Sequence, residues 1–218
     1  MEGVGFKESE GRIMKTCHAL TVVVVLSLLA SAASGGPAPR LIDYADIMPA
    51  FTGTAQFNSG DGFLVDLDYA VFEPAKYPGY DPSAGTDFVY AYQAIIPDLS
   101  NFALTAVSVG LLKGAVISDT HWESYLMTGG VEPLFSVVSA GSSVLSYFDS
   151  GVGVGSFSTV LLITSPYGPT FAPGSVLDGG RSDQQYVPSP IPEPATISFL
   201  GLGTLALLKR RNGHRLTS

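Results

Sequence analysis

Cysteine is all but missing from this chain: Cys17 is the only one, and it sits ahead of an apolar run that ends at Leu29. Everything after that run is cysteine-free, which excludes both a disulfide framework and a Cys-based metal site there. It also excludes a lipoprotein, since no cysteine follows the run to carry lipid. Histidine is scarce as well. His121 is the only one between residues 33 and 194, so a multi-histidine metal site within one chain is excluded. Basic residues are rare over the same span. Arg40, Lys76, Lys113 and Arg181 face twelve Asp and four Glu, a net charge of about −12. That balance argues against nucleic acid and anionic membrane surfaces as partners, and fits a solvated, exported protein with at most diffuse attraction for divalent cations.

Long amphipathic helix patterns are absent too. Short alternating segments rich in Gly, Ser, Thr, Val, Tyr and Phe take their place. In 61–72, Phe63, Val65, Leu67, Tyr69 and Val71 alternate with Leu64, Asp66, Asp68, Ala70 and Phe72, the period-two mark of a half-buried strand. Residues 87–96 repeat it, with Phe88, Tyr90 and Tyr92 against Val89, Ala91 and Gln93. Further strands are expected at 102–111, 115–118, 135–138, 143–148 and 155–164, separated by turn clusters such as 73–82, Pro97-Asp98 and Ser139-Ala140-Gly141-Ser142. Seven or eight short strands predict an all-β antiparallel β-sandwich, with a jelly roll as the alternative. Residues 167–185 read as a loosely ordered approach to a Pro-rich linker.

Candidate chemistry is thin. Asp61, Asp66 and Asp68 form the one local carboxylate cluster, but they lack the spacing of a calcium loop, and a solvated strand face is the simpler reading. His121 has no Gly-x-Ser-x-Gly elbow to serve. Gly151-Val-Gly-Val-Gly155 lacks the Lys-Ser/Thr of a phosphate loop and reads as a flexible hairpin connection. Tyr77, Tyr80, Tyr90, Tyr92, Trp122 and Tyr125 could supply an aromatic platform for sugars, although alternating aromatics on strands are more often core. The expectation is a non-enzymatic protein with no catalytic residue, metal or cofactor.

The termini carry more information. Met14-Lys15 opens a basic stretch, 19–29 is apolar, and Ala30-Ser31-Ala32 is an A-x-A site, so cleavage is expected after Ala32 or Ala33 by signal peptidase during export. Glu2, Glu8 and Glu10 are unusual upstream of such a signal and point to Met14 as the start. At the other end Pro188, Pro190, Pro192 and Pro194 fall at every second position, which excludes helix and inner strand and predicts an extended, accessible segment. Residues 195–208 then carry neither charge nor proline and are apolar on every face. Lys209, Arg210 and Arg211 follow. As a helix, those fourteen residues would cover only about 21 Å of a ~30 Å hydrocarbon core. The terminal position and the basic stop nevertheless favour transient membrane insertion with the cluster on the cytoplasmic side. The organisation expected is a signal region over 1–33, a body over 34–180, a linker over 181–194 and an apolar helix with basic tail over 195–218.

Pro192-Glu193-Pro194, the apolar segment 195–208 and Lys209-Arg210-Arg211 together resemble the PEP-CTERM sorting signal of Gram-negative bacteria. The tail 212–218 is longer than usual for that signal but keeps its charge sign. A GPI signal, the competing reading of a C-terminal apolar tail, does not end in a basic cluster. The resemblance implies recognition by a membrane-embedded exosortase that processes the chain near Pro192, Glu193 and Pro194. It implies a protein that is exported, held briefly in the membrane, and then delivered to the cell surface or extracellular matrix. The runs 68–74, 90–93 and 164–169 are similar to stretches common in the bodies of such proteins, which implies a β-rich domain without an assigned activity. An extracellular polysaccharide is the alternative partner.

Overall fold

The computed structural model describes residues 40–43, 48–124 and 128–191. Within them ten strands form two five-stranded antiparallel sheets. The strands are β1 (Thr52–Asn58), β2 (Leu64–Phe72), β3 (Phe88–Ile95), β4 (Leu104–Gly110), β5 (Asp119–Glu123), β6 (Phe135–Ser139), β7 (Ser143–Val152), β8 (Val160–Ser165), β9 (Pro169–Leu177) and β10 (Ser182–Pro190). One sheet runs β1-β2-β3-β8-β5 and the other β10-β9-β4-β7-β6. The chain therefore changes sheet after β3, β4, β5, β7 and β8, and these crossings stitch the two layers together.

The alternation read in β2 and β3 sets the packing. Val65, Leu67, Val71, Tyr90 and Tyr92 point from the first sheet into a core shared with Val107, Val109, Phe148, Val176 and Val187 of the second. Burial between two sheets makes the arrangement sandwich-like. The opposite face of β2 and β3 was expected in solvent. Instead Ala70, Phe72, Val89 and Ala91 pack with Leu41 and Tyr77 in a second cluster. The cause is a cover. The 3-10 turn Leu41–Asp43 and the loop 73–87 lie over this sheet, and the Leu41 N–H donates to Gln93 Oε1 at 2.9 Å.

Three local expectations are corrected. Residues 115–118 are not a strand; β5 begins just after them, at Asp119. The Gly151–Gly155 run is not a hairpin connection, because β7 and β8 belong to different sheets. Residues 167–190 are not a loose approach and linker: β9 and β10 pair in register from Ser182↔Leu177 to Pro190↔Pro169. The misreading has a physical cause. Proline lacks an N–H, but an antiparallel ladder uses only every second residue of a strand toward a given neighbour. The Ile191 N–H donates to Gly168 O at 3.0 Å, which puts the odd-numbered residues of β10 on the bonded pairs. Pro188 and Pro190 fall on the non-bonded ones, and β10 is a sheet edge with no second neighbour to satisfy.

The turn between β6 and β7 was legible. Ala140 and Gly141 take positive φ of 46° and 67°; Gly141 does so without penalty because it lacks a Cβ, while Ala140 bears the cost of the left-handed conformation.

Candidate functional site: the C-terminal exit strand and an aromatic edge

β10 hands the chain to the predicted sorting segment, and it is firmly held. Val187 is fully buried in the shared core. The Tyr92 hydroxyl donates to the Pro188 carbonyl at 2.6 Å, and Ser189 Oγ donates to the Gly110 carbonyl at 2.8 Å. Tyr90 does the same for the approach to β9, donating to Tyr167 O at 2.7 Å. Burial pushes the ionisation of Tyr90 and Tyr92 well above the ordinary tyrosine range, so both hydroxyls stay protonated donors at any physiological pH. The hydrogen-bonded ladder thus includes Ile191, the residue before Pro192. The predicted sorting residues Pro192, Glu193 and Pro194 and the stop cluster Lys209, Arg210 and Arg211 lie outside the described residues. So do the cleavage alanines Ala30, Ala32 and Ala33, and the apolar segment 195–208. Among the described residues no helix is long and apolar enough to cross a membrane.

The three carboxylates of the sequence cluster go to three different partners. Asp68 is the largest correction: its side chain is 0 % exposed rather than solvated. Arg40 Nε donates to its Oδ2 at 2.8 Å, Arg40 Nη2 reaches its Oδ1, and Thr54 Oγ1 donates to Oδ1 at 2.6 Å. The hydrogen bonds from Arg40 to Asp68 also raise the Arg40 pKa. Asp66 takes a single bond from Gln56 Nε2 at 3.3 Å. Asp61 accepts from Ser59 Oγ and pairs with Arg181; those contacts, the serine bond foremost, hold its carboxyl below the usual range. Arg181 also meets Asp178 at 3.2 Å and lies 3.7 Å over the Phe102 ring. Burial works against ionisation of Asp178, but the backbone N–H groups of Gly180 and Arg181 overcome it and keep this carboxyl low. Among the described residues no three His, Cys, Asp or Glu side chains converge as a metal site.

The aromatic platform divides. Tyr77, Tyr90 and Tyr92 are core, and Tyr125 is outside the described residues. Tyr80 and Trp122 remain together at the β5 edge with His121 between them. The His121 ring lies 5.1 Å from Tyr80, edge-on, and 6.0 Å from Trp122, nearly parallel. Tyr80 is 62 % exposed. Glu123 anchors the loop that carries it: the Tyr80 N–H donates to Oε2 at 2.9 Å and the Tyr77 hydroxyl to Oε1. Gly79 makes this possible, since a Cβ there would collide with the Glu123 carboxylate. The His121 ring is met by aromatic rings, and no serine or carboxylate hydrogen-bonds it among the described residues. Asp98 lies against Gly155, which makes the Gly151–Gly155 turn a poor cradle for an anion.

A family model for the PEP-CTERM protein-sorting motif matches residues 190–212, beginning at the last residue of β10. The chain therefore carries a PEP-CTERM sorting motif at its C-terminus. Comparison with curated proteins and with solved structures found no match.

Proposed function

We propose that this chain is an exported, non-enzymatic component of the cell surface or extracellular matrix, delivered there by exosortase processing of its C-terminal signal. The observation that carries this reading is the motif over residues 190–212. Signal peptidase and the export machinery act first, near Ala30–Ala33. The segment 195–208 then holds the chain in the membrane while Lys209, Arg210 and Arg211 fix its orientation. Pro192, Glu193 and Pro194 present an extended peptide at the lipid boundary, where a membrane-embedded enzyme can reach it. The β10 geometry supports this: the strand is held in the sheet as far as Ile191, next to the motif, so the body and the sorting signal are joined directly. Replacing Pro192-Glu193-Pro194 by three alanines is expected to leave export intact and abolish C-terminal processing. Immunoblotting of secreted and membrane fractions checks this, and unchanged maturation would sink the assignment.

A second reading is favoured by the exposed Tyr80 ring, which sits edge-on to a half-buried His121 backed by Trp122 and offers an apolar face on which a sugar ring can pack. In that reading the body is a polysaccharide-binding module. Tyr80→Ala is expected to weaken retention on a polysaccharide affinity gel about tenfold, as loss of one stacking ring would. Equal mobility of both forms at every polysaccharide concentration would remove this reading.

A further inference from the structure

The two ends of the body differ in charge. One end gathers the connections 59–63, 96–103, 153–159 and 178–181. There Arg181 pairs with Asp61 and Asp178, Asp183 accepts from the Asn58 N–H at 2.6 Å, and Asp98 lies against Gly155. The other end is where β10 leaves its sheet, and two connections meet it there. Ser189 Oγ donates to the Gly110 carbonyl, at the start of the β4–β5 connection. The Ile191 N–H donates to Gly168 O in the β8–β9 connection. Ser165 Oγ ties the two connections together by donating to Val116 O at 2.7 Å. Residues 111–118, 165–168 and 188–191 contain no acidic residue and a single basic one, Lys113. Of the nearest carboxylates, Asp87 is buried and takes a bond from Ser118 Oγ, and Asp119 opens β5.

The side chains of the β4–β5 connection divide. Leu111 and Ile117 pack against the shared core, whereas Leu112 and Val116 are exposed. The Ala115 N–H donates to Leu112 O at 2.9 Å, and this tight turn puts exposed Lys113 and Gly114 at its tip. Ile191 is exposed as well. The uncharged end thus presents three apolar side chains and one cation. β10 runs the length of the body between the two ends. At about 3.3 Å per residue it sets Asp183 about 26 Å from Ile191. That is roughly three Debye lengths at physiological ionic strength, so the charge at one end is largely screened from the other.

We propose that this end of the body is a lipid-docking surface, on which Leu112, Val116 and Ile191 enter the bilayer interface and Lys113 meets a headgroup phosphate. The inference rests on membrane insertion of 195–208, part of the function proposed above. Position along the chain selects the occupant. Only residues 192–194 separate Ile191 from that apolar segment, so the end of β10 lies within about 14 Å of the point where the chain enters the bilayer. Exposed apolar side chains occur elsewhere on the body too. Those at this end are distinguished by being tethered against lipid. A net charge of about −12 opposes binding to anionic lipid from solution. Docked by this end, the body turns Asp61, Asp98, Asp178 and Asp183 away from the membrane, and Lys113 is the charge that faces it.

The test is fluorescence quenching of the full chain in vesicles of phosphatidylcholine and phosphatidylglycerol. In a Cys17→Ser background, a single introduced cysteine carries an environment-sensitive dye, and lipids with a nitroxide in the upper acyl chain are the quencher. Dye at Val116→Cys is expected to be quenched. Dye at Leu99→Cys, 82 % exposed at the acidic end, is not. Leu202→Cys reports insertion of the apolar segment itself. A spacer of about ten Gly and Ser residues between Ile191 and Pro192 frees the body to move by about 18 Å. Quenching at Val116→Cys should survive the spacer and be lost when Leu112→Asp and Lys113→Glu are added to it; both positions are exposed, so the body keeps its fold. Quenching at Leu202→Cys with none at Val116→Cys would overturn the docking surface and leave membrane insertion standing. So would a Val116→Cys signal that the spacer abolishes, or one indifferent to the Leu112 and Lys113 changes. No quenching at Leu202→Cys would overturn the insertion on which the proposal rests.

Discussion

Arg40→Ala is expected to destabilise the body by about 3 kcal/mol, the low end of the range for breaking a buried ion pair, because water still reaches the arginine. The loss is not that of an ordinary surface contact. Asp68 is fully buried while Arg40 is 34 % exposed, so removing the arginine leaves a carboxylate in the protein with, among the described residues, only Thr54 to answer it. The midpoint of thermal unfolding should fall by about 6–12 °C, at 2–4 °C per kcal/mol for a domain of this size. The double variant Arg40→Met with Asp68→Leu should recover most of the loss, since it removes both charges together. A midpoint for Arg40→Ala within a degree or two of the parent would show that Asp68 is neutralised some other way. The pair also gives a role to the stretch just after the expected signal cleavage: Arg40 and Leu41 close the outer face of the first sheet.

Val187→Asp is expected to cost about 4 kcal/mol or more, the magnitude reached when an unpaired charge is forced into a core. Val187 is 0 % exposed and packs in the cluster shared by both sheets. The strand can escape this only by leaving the sheet, and then Tyr92 loses the Pro188 carbonyl as well. Unfolding should shift down by about 8–16 °C, and amide hydrogen exchange should show residues 182–191 unprotected. If β10 stays protected with an unchanged midpoint, the strand is not held by the core, and the account of β10 as a strand pinned by Val187 fails.

Much of the central sandwich was legible: β2 and β3 show a period-two pattern, and β4, β6, β7 and β8 fall on short Val-, Leu-, Ser- and Thr-rich segments bounded by turn residues. What was hidden has specific causes. β1 contains Gly53 and no run of large apolar residues, so nothing in its pattern rises above a loop. β9 and β10 were masked by prolines that composition reads as linker, whereas register places Pro188 and Pro190 on the positions that need no N–H. Asp68 looked solvated because its own strand shows alternation; the cover that buries it comes from Arg40 and Leu41, far away in sequence, and no periodicity reveals a long-range lid. The aromatic edge was half legible. The residue types were visible, but only the fold shows that Tyr90 and Tyr92 are core donors while Tyr80, His121 and Trp122 share one rim. The sorting motif needed no fold at all, since order along the chain is its whole signal.

Intact-mass measurement of the protein recovered from its native host tests the central claim most directly. The account predicts a species that starts near Ala33 and ends near Pro192–Pro194, both terminal addresses having been removed. A species that retains residues 195–218 would contradict it, because the tail would then be a lasting part of the protein rather than a signal consumed in sorting.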